Sequence, residues 1–391
     1  MCAKLRFFYI GFNFFLIKFK ITIFAKKVIQ MKTAEYDKLQ SQTIDWLRYP
    51  LMLLIVLIHT DTALLNSMPQ AGISLMFHCI IKTITKLAVP LFFIFSGYWF
   101  FRNPETFSLE SYASKILKRF RTLLIPYVFW NYFVWAFQML IVVLQGHANW
   151  ISIKAFLPGN ILDVIIGYGQ GYQGMPKDFP LWFLRDLIVV CLFTPQLYYL
   201  LKGRRPWVLL LFAFLYLMPF PSGWNLIFLR FPSALLFFSI GAYMGIHKQN
   251  MVEMSRKIPI WLSVTITTLS LVFHVWQCMV HGQYIDIAKN LFSIVAVIPT
   301  IQIASLLVER RQLKPIAFVA DSNFLLFALH PIIMSYLIVE PLLGKVSNTP
   351  IHFWLVYASE LLIPAIVCIA LYAIMHRFIP KTTSLLTGGR S

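Results

Sequence analysis

The sequence predicts an all-α fold: a polytopic bundle of about ten transmembrane helices with both termini in the cytoplasm. Of the 391 residues, 59% are hydrophobic and only 13% are charged, which is more apolar surface than a soluble domain of this length can bury. Apolar runs of about 20 residues, the length that crosses a bilayer, recur along the whole chain. Basic residues collect in alternate connections between these runs.

Ten segments are candidate spans, because each is apolar and most are long enough to cross the hydrocarbon core. They cover approximately residues 46–65, 74–101, 123–144, 181–201, 207–221, 227–246, 259–280, 287–307, 323–343 and 352–375. The second is long and the fifth is short, which helix tilt can accommodate. We assign residues 44–376 to one transmembrane domain, 1–43 to a cytoplasmic leader and 377–391 to a cytoplasmic tail.

The first 30 residues combine Phe, Ile and Lys, contain no acidic residue and lack a small-residue cleavage site. One interpretation is a basic amphipathic helix at the membrane surface. The other, which we favour, is that translation begins at Met31, so that residues 1–30 are not native.

The formal net charge of +19 orients the chain in its membrane. Alternate connections carry the basic clusters Arg102, Lys115, Lys118, Arg119 and Arg121; Lys202, Arg204 and Arg205; Lys248, Arg256 and Lys257; Arg310, Arg311 and Lys314; and Arg377, Lys381 and Arg390. The positive-inside rule places these connections and both termini in the cytoplasm. The charge therefore predicts contact with the lipid bilayer and its anionic head groups, and not with nucleic acid.

The five cysteines include no CxxC pair, and four of them lie within or beside candidate spans. This predicts small buried side chains, without a disulfide framework. The histidines and acidic residues show no metal-ligand spacing such as HExxH, so we expect no metal.

Arg48 and His59 are the first candidate functional residues, because both lie in an otherwise apolar run. Eleven positions at about 100° each place the two side chains on one helix face, roughly 16 Å apart along the axis. Ionisable groups in a membrane helix usually face a protein interior or a water-filled cavity. Arg48 could also snorkel to the interface, whereas His59 lies too deep to do so. Asp45, three residues earlier, can hold the guanidinium.

A second group of basic residues follows the second span. Lys118 and Arg121 are three positions apart, with Arg119 between them. Such a cluster can bind the phosphates of a soluble cofactor. It can equally be the charge that fixes topology, and spacing alone favours that interpretation.

Polar residues in later spans leave similar alternatives open. Arg185, Asp186 and Arg230 lie near the outer ends of spans, as structural ion pairs or, the alternative we favour, as the lining of an outward-facing pocket. Ser96, beside Gly97, allows another helix or a substrate to approach the backbone. His330 precedes Pro331, which disturbs local helix hydrogen bonding, and such a histidine is more often structural than catalytic.

The order of these motifs resembles that of the acyltransferase-3 family of integral-membrane acyltransferases. The motifs are Arg48-x10-His59, VPLFFIFSGY at 89–98, Lys118-x-x-Arg121 followed by Pro126-Tyr127, LWFL at 181–184 and SNFLLFALHPI at 322–332. The resemblance covers about residues 44–376. It departs from the family in the last motif, where Asn323 and Phe327 stand in place of common tyrosines.

The resemblance implies transfer of an acyl group, usually acetyl, from cytoplasmic acetyl-CoA or another acyl-CoA to a hydroxyl of a surface or secreted glycan. Arg48 and His59 correspond to the family's essential pair, and Lys118 and Arg121 to its basic pair. The expected location is the bacterial cytoplasmic (inner) membrane. The acceptor and the oligomeric state are not fixed by the sequence.

This chemistry agrees with the residues themselves. An imidazole in a partly dry cavity can act as a general base, so His59 could deprotonate the acceptor or carry the acyl group. Arg48 can orient the thioester or phosphates but cannot be a base. We therefore expect the donor to enter from the basic face and the acceptor from an outer pocket. The alternatives are a succinyl donor, or a transporter or flippase of a lipid-linked sugar, which the lack of an internal repeat disfavours.

Overall fold

A computed structural model describes residues 33–59, 73–102, 108–145, 175–203, 205–218, 226–310, 317–339 and 350–389, and within these ranges the chain forms helices and no strand. Six helices are long and apolar enough to cross a membrane: Thr33–Ile58, Leu75–Phe101, Glu110–Leu144, Ile260–Met279, Ile285–Glu309 and Tyr357–Phe378. A further pair, Phe179–Leu192 and Thr194–Leu201, is bent by 63°. Pro206–Leu217, Phe231–Ile246 and Asn323–Tyr336 are shorter apolar helices.

Each of the ten predicted segments overlaps one of these long, bent or short apolar helices. The all-helical membrane fold is therefore confirmed, while the count of ten spans and the cytoplasmic termini stay predictions.

Several of the spans are divided into shorter helices. In chain order the helices are α1 (Thr33–Ile58), α2 (Ile73–Thr85), α3 (Ala88–Phe101), α4 (Leu109–Arg119), α5 (Ile125–Leu144), α6 (Trp182–Leu192), α7 (Thr194–Leu201), α8 (Pro206–Leu217), α9 (Leu226–Ile246), α10 (Met251–Arg256), α11 (Ile260–Met279), α12 (Ile285–Val295), α13 (Val297–Glu309), α14 (Ala317–Asp321), α15 (Asn323–Ile333), α16 (Pro350–Phe378) and α17 (Pro380–Leu386). Phe120–Leu124 and Met334–Val339 are π-helical segments, and Phe179–Leu181 is a 3₁₀ turn.

Helix α1 differs from the predicted first span in both of its bounds. Its described part already includes Thr33, within the predicted leader, and it ends at Ile58, so that His59 lies in a terminal turn where its N–H donates to the carbonyl of Val56 at 3.0 Å. The early start has a physical cause, because the Gln40 side chain accepts the N–H of Met251 and Asp37 accepts from Asn250. Residues 1–32, including Met31, and residues 60–65 lie outside the described ranges.

The prediction for the cysteines is wrong for one pair. Cys79 of α2 and Cys278 of α11 form a disulfide with a Cα–Cα distance of 6.2 Å. Sequence spacing could not reveal it, because 199 residues separate the partners. Both cysteines lie toward the helix ends that the charge pattern places outside the cytoplasm, where disulfides persist. Cys191 and Cys368 are buried free thiols, as predicted.

Backbone contact between α3 and α9 fixes the centre of the bundle. A Cβ on Gly97 would overlap the carbonyl oxygen of Phe238, and a Cβ on Gly241 would overlap that of Ile94. Small residues let membrane helices approach this closely and gain dispersion contacts. The close approach that the sequence predicts beside Ser96 is thus present.

The predicted C-terminal tail is folded against the bundle. Helix α16 ends at Phe378, and α17 follows after a single residue. The carbonyl of Leu386 accepts the indole N–H of Trp130 at 3.1 Å. Gly388 and Gly389 then adopt positive φ angles of 78° and 74°, which glycine tolerates without strain.

Gly241→Ala should destabilise the protein, because the added methyl group has no space against the α3 backbone. We expect a loss of about 1–3 kcal/mol, the usual cost of overpacking, measured as a lower melting temperature of the purified protein in detergent. Gly203→Ala is the matched control, because its Cβ would meet only the movable side chain of Arg205. Equal melting temperatures for the two variants would contradict the proposed role of the α3–α9 contact.

Candidate active site

Three neighbouring cavities lie in a row through the bundle. The cytoplasmic cavity has a volume of about 340 Å³, and its walls include Lys115, Lys118 and Arg119. The central cavity, of about 70 Å³, shares Arg119, Thr122 and Leu123 with it. The outer cavity, of about 310 Å³, shares Ile55, Phe183 and Phe327 with the central one. The names cytoplasmic and outer follow the predicted orientation of the chain.

One face of α1 lines the central and outer cavities. Arg48, Met52 and Ile55 contribute to the central cavity, and Ile55, Ile58 and His59 to the outer one. Positions 48, 52, 55 and 59 follow the spacing of a single helical face. Arg48 and His59 therefore share a face, although they open into adjacent cavities.

Arg48 is held by an ion pair within its own helix. Its Nη1 lies 3.0 Å from Oδ1 of Asp45, and the side chains are 38% and 43% exposed. At this exposure the pair contributes little stability. Its structural effect is to orient the guanidinium in the wall of the central cavity, which is the contact that the Asp45 spacing predicts.

His59 lies among aromatic rings in the outer cavity. The centroid of its imidazole is 4.6 Å from that of Phe179, edge to face, and 5.3 Å from that of His330, with only 25° between the ring planes. The two histidines that the sequence places 271 positions apart are thus stacked neighbours. A neutral ring over an imidazolium stabilises the positive charge through the ring face.

The His330 tautomer is fixed by its helix. Its Nδ1 donates to the carbonyl of Leu326 at 3.0 Å, which leaves Nε2 with a lone pair. His330 is fully buried, and among the described residues Nε2 has no hydrogen-bond partner. The ring is therefore suited to support His59 as a neutral neighbour.

The central cavity also holds polar groups from two other helices. Ser96 of α3 and Asn323 of α15 both line it together with Arg48. The Oδ1 atom of Asn323 is buried and finds no hydrogen-bond donor within the described ranges. Asn323 replaces a common family tyrosine, so the sequence departure falls directly on this cavity.

In the basic cluster, the residues that line the cavities are Lys118 and Arg119, and not the predicted pair Lys118 and Arg121. Lys118 lines the cytoplasmic cavity, and Arg119 lines both the cytoplasmic and central cavities. Arg121 is exposed and is not part of either wall. Lys115, Lys118, Arg119 and Thr122 follow the i, i+3, i+4 and i+7 spacing of one helix face, and Arg121 lies to the side of that face.

Arg185 and Asp186, two of the three predicted outer charges, are not part of the described wall of the outer cavity. Arg185 and Asp186 form a buried ion pair, with the Arg185 Nη2 atom 2.9 Å from Oδ1 of Asp186. Of the two alternatives open for them, the structural ion pair is the geometry present. Arg230 lies on α9, but its side chain is outside the described part of the structure.

The sequence interpretation missed other charged residues near the outer cavity. Lys86, between α2 and α3, and Lys289, on α12, line the outer cavity together with Asn290 and Ser293. Their sequence signal was present, since Lys289 is the one lysine of the predicted span 287–307, and Lys86 lies within the predicted span 74–101 together with Lys82. Asp178 is fully buried just before Phe179, and burial raises the pKa of its carboxyl well above the ordinary value.

No group of three or more potential metal ligands occurs in the described ranges. The polar groups that line the three cavities are imidazole, guanidinium, ammonium, hydroxyl and amide groups, which suit acid–base and anion-binding chemistry.

The fold and site define a multi-pass helical membrane protein with three adjacent cavities in its bundle. The sequence model of the acyltransferase-3 family, described as an acyltransferase domain, matches residues 41–383, so the chain belongs to this family and is an acyltransferase. A similar curated protein is the succinoglycan biosynthesis protein ExoH of Rhizobium meliloti (strain 1021). It is 26% identical over 319 residues, which are 79% of this chain and 81% of the relative. No solved structure matches the chain.

Proposed function

We propose that the protein transfers an acyl group from cytoplasmic acyl-CoA to a hydroxyl of a surface or secreted polysaccharide in the bacterial cytoplasmic membrane. The row of three cavities carries this proposal, because it joins a basic mouth to an outer cavity with His59 in its wall. The polysaccharide acceptor is supported by the name of the relative, a succinoglycan biosynthesis protein.

The cytoplasmic cavity suits the coenzyme part of the donor. Lys115, Lys118 and Arg119 place three cations in one wall, and such cations bind phosphates by charge-assisted hydrogen bonds. Arg119 also lines the central cavity, whose volume of about 70 Å³ excludes the nucleotide, so only the thioester end of the donor is proposed to enter it. The thioester then approaches Arg48 and Ser96.

His59 is the proposed general base of the transfer. The acceptor hydroxyl gives its proton to the imidazole while its oxygen attacks the thioester carbonyl, so a C–O bond forms and the C–S bond breaks. The proton then passes to the leaving coenzyme thiolate. The alternative, in which His59 itself carries the acyl group, uses the same contacts and splits the reaction into two transfers.

Arg48 and His330 have supporting roles in this proposal. The guanidinium of Arg48, in the wall of the central cavity, orients the donor on its way to His59. His330, fixed by Leu326 and stacked on His59, favours the protonated form of His59 that arises during transfer. An acetyl donor follows from the family resemblance, and a succinyl donor is the alternative.

His59→Ala should lower acyl transfer by about 10²–10⁴-fold, the usual contribution of a general base. The measurement is transfer of radiolabel from acetyl-CoA, and in parallel from succinyl-CoA, to polysaccharide by purified protein in nanodiscs. His376→Ala is the matched control, because His376 is exposed near the end of α16. A folded His59→Ala protein with the control's activity would exclude this mechanism.

Arg119→Gln should raise the KM for acyl-CoA by about tenfold or more, because a hydrogen-bonded charge is lost from the donor site. Arg121→Gln should leave this KM nearly unchanged, because its side chain lies outside both cavity walls. The comparison requires initial rates over a range of donor concentrations. A larger increase in KM for Arg121→Gln than for Arg119→Gln would contradict this assignment. It would instead support the pairing of Lys118 with Arg121 that the family motif implies.

A further inference from the structure

The outer cavity contains lysines that the topology of the chain does not explain. Basic residues normally accumulate on the cytoplasmic side, where they orient a membrane protein. Lys86 and Lys289 instead line a cavity at the opposite end of the row of cavities, next to His59. Ionisable groups within membrane spans are costly, and they usually mark a substrate or ion pathway.

The two lysines come from separate parts of the chain and meet at one site. Lys86 lies in the turn between α2 and α3, where its N–H bonds to the carbonyl of Thr83 at 3.0 Å. Lys289 lies on the second turn of α12 and forms an ion pair with the exposed Asp286. The described lining includes both lysines, and the Asp286 carboxylate that pairs with Lys289 lies outside it.

The remaining walls have the character of a sugar site. Trp182 and Phe183 provide aromatic surface, and Ser233, Ser293 and Asn290 provide polar groups. A volume of about 310 Å³ is at the lower end of the range of ligand pockets. Low-dielectric walls strengthen the positive potential of such a cavity.

We propose that Lys86 and Lys289 form an anion site that binds a carboxylate or phosphate of the substrate beside His59. This inference rests on the proposed function and adds the substrate class. The anion has two possible sources with the same chemistry: an acidic group on the acceptor glycan, or the distal carboxylate of a dicarboxylic acyl group.

Equilibrium binding tests the site without requiring turnover. The probes are a neutral glucose tetrasaccharide, the same tetrasaccharide carrying one glucuronate, acetyl-CoA and succinyl-CoA. The protein is the full chain in nanodiscs, as wild type, Lys86→Gln, Lys289→Gln and the control Lys257→Gln, whose lysine is exposed on the cytoplasmic side of α10. Each affinity is measured at low and high salt.

We expect the wild type and Lys257→Gln to bind one acidic probe at least about tenfold more tightly than its neutral counterpart. Each outer-cavity variant should lose most of that preference. If the variants lose only the preference for the glucuronate-containing over the neutral tetrasaccharide, the anion belongs to the acceptor. If they lose only the preference for succinyl-CoA over acetyl-CoA, the anion belongs to the acyl group.

Absence of any acidic preference in the wild type would overturn the inference, and so would a preference that both outer-cavity variants keep. The proposed function fails separately, if the wild type transfers no acyl group from any donor. The two failures are therefore distinguishable in one set of preparations.

Discussion

Direct backbone contact between α3 and α9 is the constraint on which the rest of the structure depends. Lipid provides no hydrophobic driving force between helices, so close packing relies on small residues such as Gly97 and Gly241. With one side of α3 fixed against α9, its other residues, including Phe92 and Ser96, line the central cavity. The α3 side of that cavity is therefore held in place by the contact with α9.

In the proposed mechanism, the charged residues of the three cavities follow the order in which the donor meets them. Cations at the cytoplasmic mouth suit coenzyme phosphates, Arg48 follows at the narrow centre, and His59 lies beyond it. The aromatic contacts of His59 with Phe179 and His330 limit its motion. A narrow centre also restricts water, which would otherwise compete with the acceptor hydroxyl for the acyl group.

Much of this arrangement could be predicted from the sequence, but not the convergence of distant helices. Apolar runs located the helices, and the eleven-residue spacing located the shared face of Arg48 and His59. The Cys79–Cys278 disulfide and the meeting of Lys86 with Lys289 depend on packing between helices far apart in the chain, which no local pattern encodes. Arg121 lies outside both described cavity walls, because its spacing from Lys118 does not determine which helix face the packing turns towards a cavity.

The central claim is that donor and acceptor reach His59 from opposite sides of the membrane. Sealed proteoliposomes with a uniform protein orientation test it, with acyl-CoA supplied only at the basic face and acceptor polysaccharide only at the other. The account predicts acyl transfer in this arrangement and none when both substrates are confined to the outer side. Transfer only when donor and acceptor share one compartment would contradict it.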